Sequence, residues 1–315
     1  MLQLSQEMSS GAARLRIDVF GSEPCHHVLE TMTFLNYRLA NVNVEPVVQR
    51  PKPDIVWYQC RAAGNAAYAK NIGYEDGTLT LSGEWYQGEL QKILVSMLAS
   101  KMEEVGLHPF HASAIRYRDL TIMFLGGESN HGKSMAQIEG SRRGALVVST
   151  ETTVTDERGW AVMGSKSVFL RERAKGTERA DKLNQDQGVA KFFDKTPEFI
   201  NYDEPSDVDL VVIPSIDGNF DSKTVEMIPF ERNFQTYHSL MDYLGVKELL
   251  APGLVMPLLD GDARRAKRAS FCKRFSERPY FLIRAKNPQV LFDQLEDVLD
   301  TNPALHAAVT AEVRG

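Results

Sequence analysis

The chain has 315 residues, a formal net charge of -6, 43% hydrophobic and 25% charged residues. That composition suits a globular protein with a sizeable core, and the acidic balance argues against a protein that coats nucleic acid. Three scattered cysteines, Cys25, Cys60 and Cys272, form no CxxC pair, so neither a zinc ribbon nor a disulfide framework is indicated and a reducing cytoplasmic compartment is expected. The N-terminal stretch lacks a secretory h-region, and no apolar run approaches the roughly 20 residues of a membrane span, so no membrane association is expected.

In chain order, residues 1–13 read as a polar flexible tail. Arg14 to Phe20 alternates and predicts a strand, residues 25–40 carry apolar positions at helical spacing, and 54–58 and 77–81 predict short strands. Residues 84–105 predict a helix whose face of Leu90, Ile93, Leu94, Met97 and Leu98 docks on a core, ended by Gly106. Strands at 112–117 and 120–125 follow, joined by a tight turn at Arg118-Asp119, then a helix opening near Gly132 and a strand at 145–149. Short strands fill 152–170, and 171–188 is a charged loop or exposed helix. The apolar run 208–214 predicts a buried strand, followed by helices at 229–244 and 260–276, a strand at 280–284 and a helix at 288–299. The pattern is α/β with a mixed rather than purely parallel sheet. It divides into an N-terminal α/β domain over 14–106, a larger domain over 107–300 and a tail or short helix over 301–315.

One motif carries chemistry. Gly127, Glu128, Ser129, Asn130, His131, Gly132, Lys133 and Ser134 spell GxxxxGKS in full, between an apolar strand and a helix. Glycines let the backbone wrap phosphate with its N–H groups inward, and the following helix points its positive end at the same anion. Lys133 can neutralise the β- and γ-phosphates, and the Ser134 hydroxyl can ligate Mg²⁺. Asn130 tolerates the left-handed geometry that a glycine takes in many such loops. His131 faces either phosphate or solvent. The loop alone points to a nucleoside triphosphate, ATP or another.

The surroundings narrow the reading. Leu107-His108-Pro109-Phe110-His111-Ala112-Ser113-Ala114 leads into strand, turn, strand and glycine loop, and the segment 143–151 (RGALVVSTE) follows. This arrangement resembles the HPr kinase/phosphorylase group, relatives of phosphoenolpyruvate carboxykinase, well over residues 107–155 and more weakly through 208–214 and 280–284. The resemblance implies a mixed sheet around the P-loop with a smaller N-terminal α/β domain. It also implies transfer of the γ-phosphate to a hydroxyl of a peptide or protein serine or of a small metabolite. It places His111 near the phosphates and makes Glu151 a metal ligand, with Ser134, and the candidate base. The family's other acidic position is Thr150 here. Either Glu151 acts alone, or a carboxylate from Glu128, Asp156 or Asp217 joins it, or only nucleotide binding remains, as in a regulatory protein.

Other features have plainer readings. The basic run over 264–278 suits an anion site or a solvated helix face docked by Phe271 and Phe275. The basic residues of 171–182 suit a lid or a solvated loop. Cys25-His26-His27 is assigned no metal, and Trp57, Trp85 and Trp160 are expected in cores or at domain joins. The sequence names no acceptor and leaves a homo-oligomer open.

Overall fold

The computed structural model describes residues 2–21, 38–47, 52–59, 70–85, 87–126, 131–170, 191–192, 195–244, 249–251, 253–303 and 305. Two sheets organise them. The first is six-stranded, from β1 (Leu2–Ser10), β2 (Ala13–Phe20), β3 (Val42–Pro46), β4 (Ile55–Tyr58), β5 (Asn71–Glu75) and β6 (Thr78–Ser82), in the order β3-β1-β2-β4-β6-β5. Residues 2–10, expected as a tail, are therefore a strand. β1 pairs antiparallel with β2 through a turn at Gly11 (φ 57), and Met8 and Ser10 are buried. The polar composition hid a strand in which only some side chains need be apolar. Most of the helical pattern at 25–40, the charged segment 171–188 and nearly all of the C-terminal tail lie outside the described residues.

Helix α1 (Gln87–Glu104) carries the predicted apolar face into the core beneath this sheet, with Leu90, Ile93, Leu94, Met97 and Leu98 all buried. Gly106 follows with φ 77, as a left-handed helix terminator should. The same core takes in Val154, Tyr243, Leu244, Leu250, Met256 and Leu259 from the later chain, so the N-terminal sheet and its helix pack directly against the rest.

The nine-stranded second sheet is built around β7 (Leu107–Tyr117) and β8 (Leu120–Leu125), a hairpin turned at Arg118 (φ 50) and Asp119 (φ 60). Two successive positive φ values are those of a type I′ turn, whose twist matches that of the strands. The chain continues through α2 (Lys133–Arg142), β9 (Leu146–Ser149), β10 (Thr152–Asp156), β11 (Trp160–Gly164) and a small pair, β12 (Phe169–Leu170) with β13 (Lys191–Phe192). Then come β14 (Ser206–Asp207), β15 (Leu210–Ile216), β16 (Lys223–Glu226), α3 (Pro229–Tyr243), the pair β17 (Leu249–Ala251) and β18 (Leu254–Val255), α4 (Asp262–Phe275), β19 (Tyr280–Ala285) and α5 (Pro288–Thr301). Strand order is β14-β11-β10-β7-β8-β15-β19-β16, with β9 added against β7. β8, β15 and β19 run parallel and the other pairings are antiparallel, so the sheet is mixed. Apolar layers cover both faces. Phe124, Ala136, Val212, Phe292 and Leu295 fill one, and Phe110, Met123, Val211, Phe271 and Phe275 the other.

The basic run over 264–278 is not an open anion site. Arg268 is 1% exposed, and its guanidinium holds Glu103 of α1 (Nε–Oε1 2.6 Å) and Asp260 (Nη1–Oδ2 2.7 Å, Nη2–Oδ1 2.8 Å). Arg264 pairs with Glu104, Lys267 and Arg274 with Glu157, and Arg278 with Asp207. Burial disfavours the Arg268 charge, but the two carboxylates outweigh it and its pKa is raised. Trp57 and Trp85 are buried as expected, whereas Trp160 is exposed and lies against the Arg158 guanidinium, 4.9 Å from its ring centre.

The Arg268 fork ties the helix under the first sheet to the helix that covers the second. Replacing Arg268 by Met strands two buried carboxylates and should cost about 3–5 kcal/mol. The triple change Arg268→Met, Glu103→Leu, Asp260→Leu should recover most of that loss. Urea unfolding midpoints of the two variants check both statements.

Candidate functional site

The site forms where β7 passes from one partner strand to another. Its first half, Leu107–His111, pairs with β10, and its second half, from Ala112, pairs with β8. His111 is opposite Thr152 in the β7–β10 register, so Glu151, one residue before β10, lies beside it. β8 ends at Leu125, and α2 begins at Lys133 next to the same place.

Gly132 is the sharpest local constraint. Its φ of 101 is left-handed, and a Cβ there would sit 2.7 Å from Ile216 Cδ1. Only glycine fits both demands. Ile216 ends β15, so the helix start is wedged against the C-terminal end of a parallel strand, where open α/β sheets bind ligands. The Lys133 ammonium is buried and donates to the Gly126 carbonyl (2.8 Å). A Cβ on Gly126 would be 3.8 Å from His131 Nδ1 and 3.9 Å from Lys133 Nζ, so both side chains approach this glycine, and His131 is half-buried. Ser134, next in the helix, is half-buried. Gly127, Glu128, Ser129 and Asn130 lie outside the described residues.

Around Lys133 the structure gathers an ionic cluster. His111, 7% exposed, has Nε2 3.4 Å from Glu151 Oε1 and Nδ1 2.7 Å from Asp242 Oδ2. Burial works against the imidazolium, but Asp242 and Glu151 outweigh it, and the pKa of His111 rises above its ordinary 6.5. Burial likewise works against the Glu151 carboxylate, yet His111, Arg38 and Lys133 hold it below its ordinary 4.5. Asp242 is also lowered, by His111, Lys133 and Arg38 against its own burial. Burial lowers Lys133 from 10.5, only partly opposed by Glu151 and Asp242. The cluster therefore favours the charged form of His111 and the ionised forms of both carboxylates, beside the buried Lys133 side chain.

Glu151 is aimed by its backbone. Ser165 Oγ accepts from the N–H groups of Glu151 and Thr152, both at 3.0 Å. Gly164 makes this approach possible, because a Cβ there would be 2.2 Å from Ser149 Cβ. The Tyr243 hydroxyl reaches Thr152 Oγ1 (2.6 Å) and donates to the Glu151 carbonyl (3.2 Å), and its ring stands edge-on to His111 at 5.8 Å. Burial raises the Tyr243 pKa well above its usual range, so it remains a neutral donor.

Thr150 has a different part. Its hydroxyl is buried, 3.0 Å from the Ser165 carbonyl and 2.8 Å from that of Ser167, so it stitches the strand end to the next segment. The second carboxylate at His111 is Asp242 of α3, which the sequence reading did not single out. Among the expected candidates, Asp156 sits at the far end of β10, accepting from Arg158 and Trp160 in a turn. Asp217 follows Ile216 and accepts from Asn219 N–H (3.0 Å), near the loop but in no contact with His111. Glu128 is outside the described residues. One signal for Asp242 was available. Asp242 lies in the last turn of α3, which holds no basic residue, so it opposes the helix dipole and favours a cation from elsewhere in the fold.

The sign of the pH dependence follows from the shifts. The raised His111 contributes stability that is full below about its ordinary 6.5 and lost as pH rises through its folded value. The lowered Glu151 contributes stability that is full above its ordinary 4.5 and lost as pH falls through its folded value. The cluster should therefore stabilise most between these two ordinary values. Asp242→Asn should bring the His111 titration, followed by imidazole NMR, to lower pH, and thermal midpoints should show the alkaline loss of stability beginning earlier.

No protein-family model and no curated protein matches this chain.

Proposed function

We propose that the chain is an ATP-dependent phosphotransferase of the HPr kinase-like kind, moving a γ-phosphate to a hydroxyl of a peptide, protein or small metabolite. The observation that carries this reading is the convergence of the loop lysine, Lys133, with His111 and its two carboxylates, Glu151 and Asp242. A glycine loop by itself would support binding only. A carboxylate held ionised beside it adds a base.

In this reading the loop from Gly127 to Ser134 cradles the triphosphate, and Lys133 turns from the Gly126 carbonyl to a phosphate oxygen. The acceptor oxygen attacks the γ-phosphorus while its proton passes to Glu151. The bond from the γ-phosphorus to the β-bridging oxygen breaks, and ADP leaves. His111, between its two carboxylates, fixes Glu151 and favours its ionised form until Glu151 takes that proton. Asp242 is a positioning residue that acts through His111. Magnesium suits the hard oxygen donors available, Ser134 Oγ and Glu151, and it would supply charge neutralisation at the phosphates. Magnesium sites of this kind use one or two protein oxygens and the phosphates rather than an all-protein cage.

The alternative, a nucleotide-binding regulatory protein, draws on Thr150, whose hydroxyl is committed to structure. One variant separates the readings, and a second tests the nucleotide loop that both require. With γ-labelled ATP and hydroxyl acceptors, Glu151→Gln should lower the transfer rate by about 10²-fold or more while nucleotide affinity is retained. Lys133→Ala should weaken nucleotide binding roughly 10- to 100-fold, the value of one charge-assisted contact. Nucleotide binding without transfer to any acceptor, with Glu151→Gln indistinguishable from wild type, would favour the regulatory reading.

A further inference from the structure

Helix α3 carries a feature that the cluster does not use. Ile228, just before it, is 58% exposed, Phe230 76% and Phe234 53%. These three large apolar side chains fall within residues 228–234. Phe230, Phe234, His238 and Asp242 recur at every fourth position, so they form one ridge that winds slowly around the helix. Phe234 and His238 stack in near-parallel planes (5.7 Å, 7°). The row begins in exposed aromatic rings and ends on the exposed carboxylate that pairs with His111.

We infer that this face is the docking track for a linear peptide segment that brings its acceptor hydroxyl to the site. The partner segment presents apolar side chains to Phe230 and Phe234 and the hydroxyl beyond Asp242. The assignment of the hydroxyl rests on the phosphotransferase reading above. The area favours a transient peptide over a second copy of the chain. The three apolar side chains expose roughly 350 Å², scaled from the 150–250 Å² of a large side chain. A stable dimer buries about 800 Å² on each partner, whereas a functional patch on a monomer is about 300–600 Å². The charge also has a sign. Glu231, beside the rings, is exposed, while Arg232 turns inward to the Met227 carbonyl (2.6 Å) and Glu226 (2.8 Å). A basic residue in the segment, at the level of the rings, matches that face.

The helix also sets a ruler. At 1.5 Å per residue, Phe234 and Phe230 lie about 12 and 18 Å along the axis from Asp242. An extended peptide rises about 3.3 Å per residue. Its two apolar side chains therefore fall about two residues apart, the nearer one at least about four residues from the acceptor serine, on one side of it.

The probe is a fluorescein-labelled peptide library with one fixed serine and randomised flanks, offered to the full chain and to Phe230→Ser with Phe234→Ser. Phosphorylation with γ-labelled ATP and binding by anisotropy are read separately. Wild type should select two apolar residues about two positions apart, the nearer one at least about four positions from serine, with a nearby Lys or Arg. The double variant should lose that selection and at least about tenfold in kcat/KM or affinity, with nucleotide affinity unchanged. If wild type selects and binds such peptides but transfers no phosphate, the docking track stands and the transfer reading fails. If both proteins select alike, or wild type selects no apolar position while phosphorylating small hydroxyl compounds, the track is overturned. A wild-type dimer in sedimentation velocity that the double variant abolishes also overturns it, because a second copy is then the occupant.

Discussion

The structure depends on the backbone pairing of β7. This strand follows Gly106 without a linker and hydrogen-bonds to β10 along its first half and to β8 along its second, while β9 joins its later residues. A buried strand must satisfy every N–H and C=O, so neither partner can be given up cheaply. The change of partner falls between His111 and Ala112. There the β9–β10 turn, the start of α2 and the end of α3 come together, and each delivers one charged group.

The charges are tolerable in the interior because they arrive together. An isolated imidazolium as buried as His111 would lose its proton, and an isolated Glu151 would gain one. Asp242 and Glu151 shift the histidine towards its charged form, and His111, Arg38 and Lys133 shift the glutamate towards its ionised form. Arg268 shows the same logic in a structural setting. Its two buried carboxylates, Glu103 and Asp260, belong to different parts of the chain, so the fork fixes α1 against α4. Buried charge here marks the places where separately folded segments must meet in one geometry.

His108 makes a useful contrast with His111. It is three residues earlier on β7, equally buried, and stacked on Phe271 with ring centres 3.6 Å apart. Glu157 is its nearest carboxylate at 3.9 Å, and burial, aided by Lys267, Arg268 and Arg274, takes its pKa down to about 4. Two histidines of one strand are thus shifted in opposite directions, His108 down and His111 up, according to how closely carboxylates approach them.

Much of this was legible in the chain itself. Helices α1, α3, α4 and α5 follow apolar spacings, Gly106 and the Arg118-Asp119 turn fall where local backbone chemistry puts them, and the motif fixed the start of α2 at Gly132. These are short-range effects, set by residues within one or two turns of each other. The tertiary structure alone decided that residues 2–10 are a strand, because their hydrogen bonds go to β2 and β3. It also decided which carboxylate completes the site. Thr150 and Asp156 are near Glu151 in sequence but committed to turns and stitches, whereas Asp242 is 131 positions from His111 and reaches it only because α3 packs across β7. Sequence proximity determines backbone conformation, and charge partnership is a property of space.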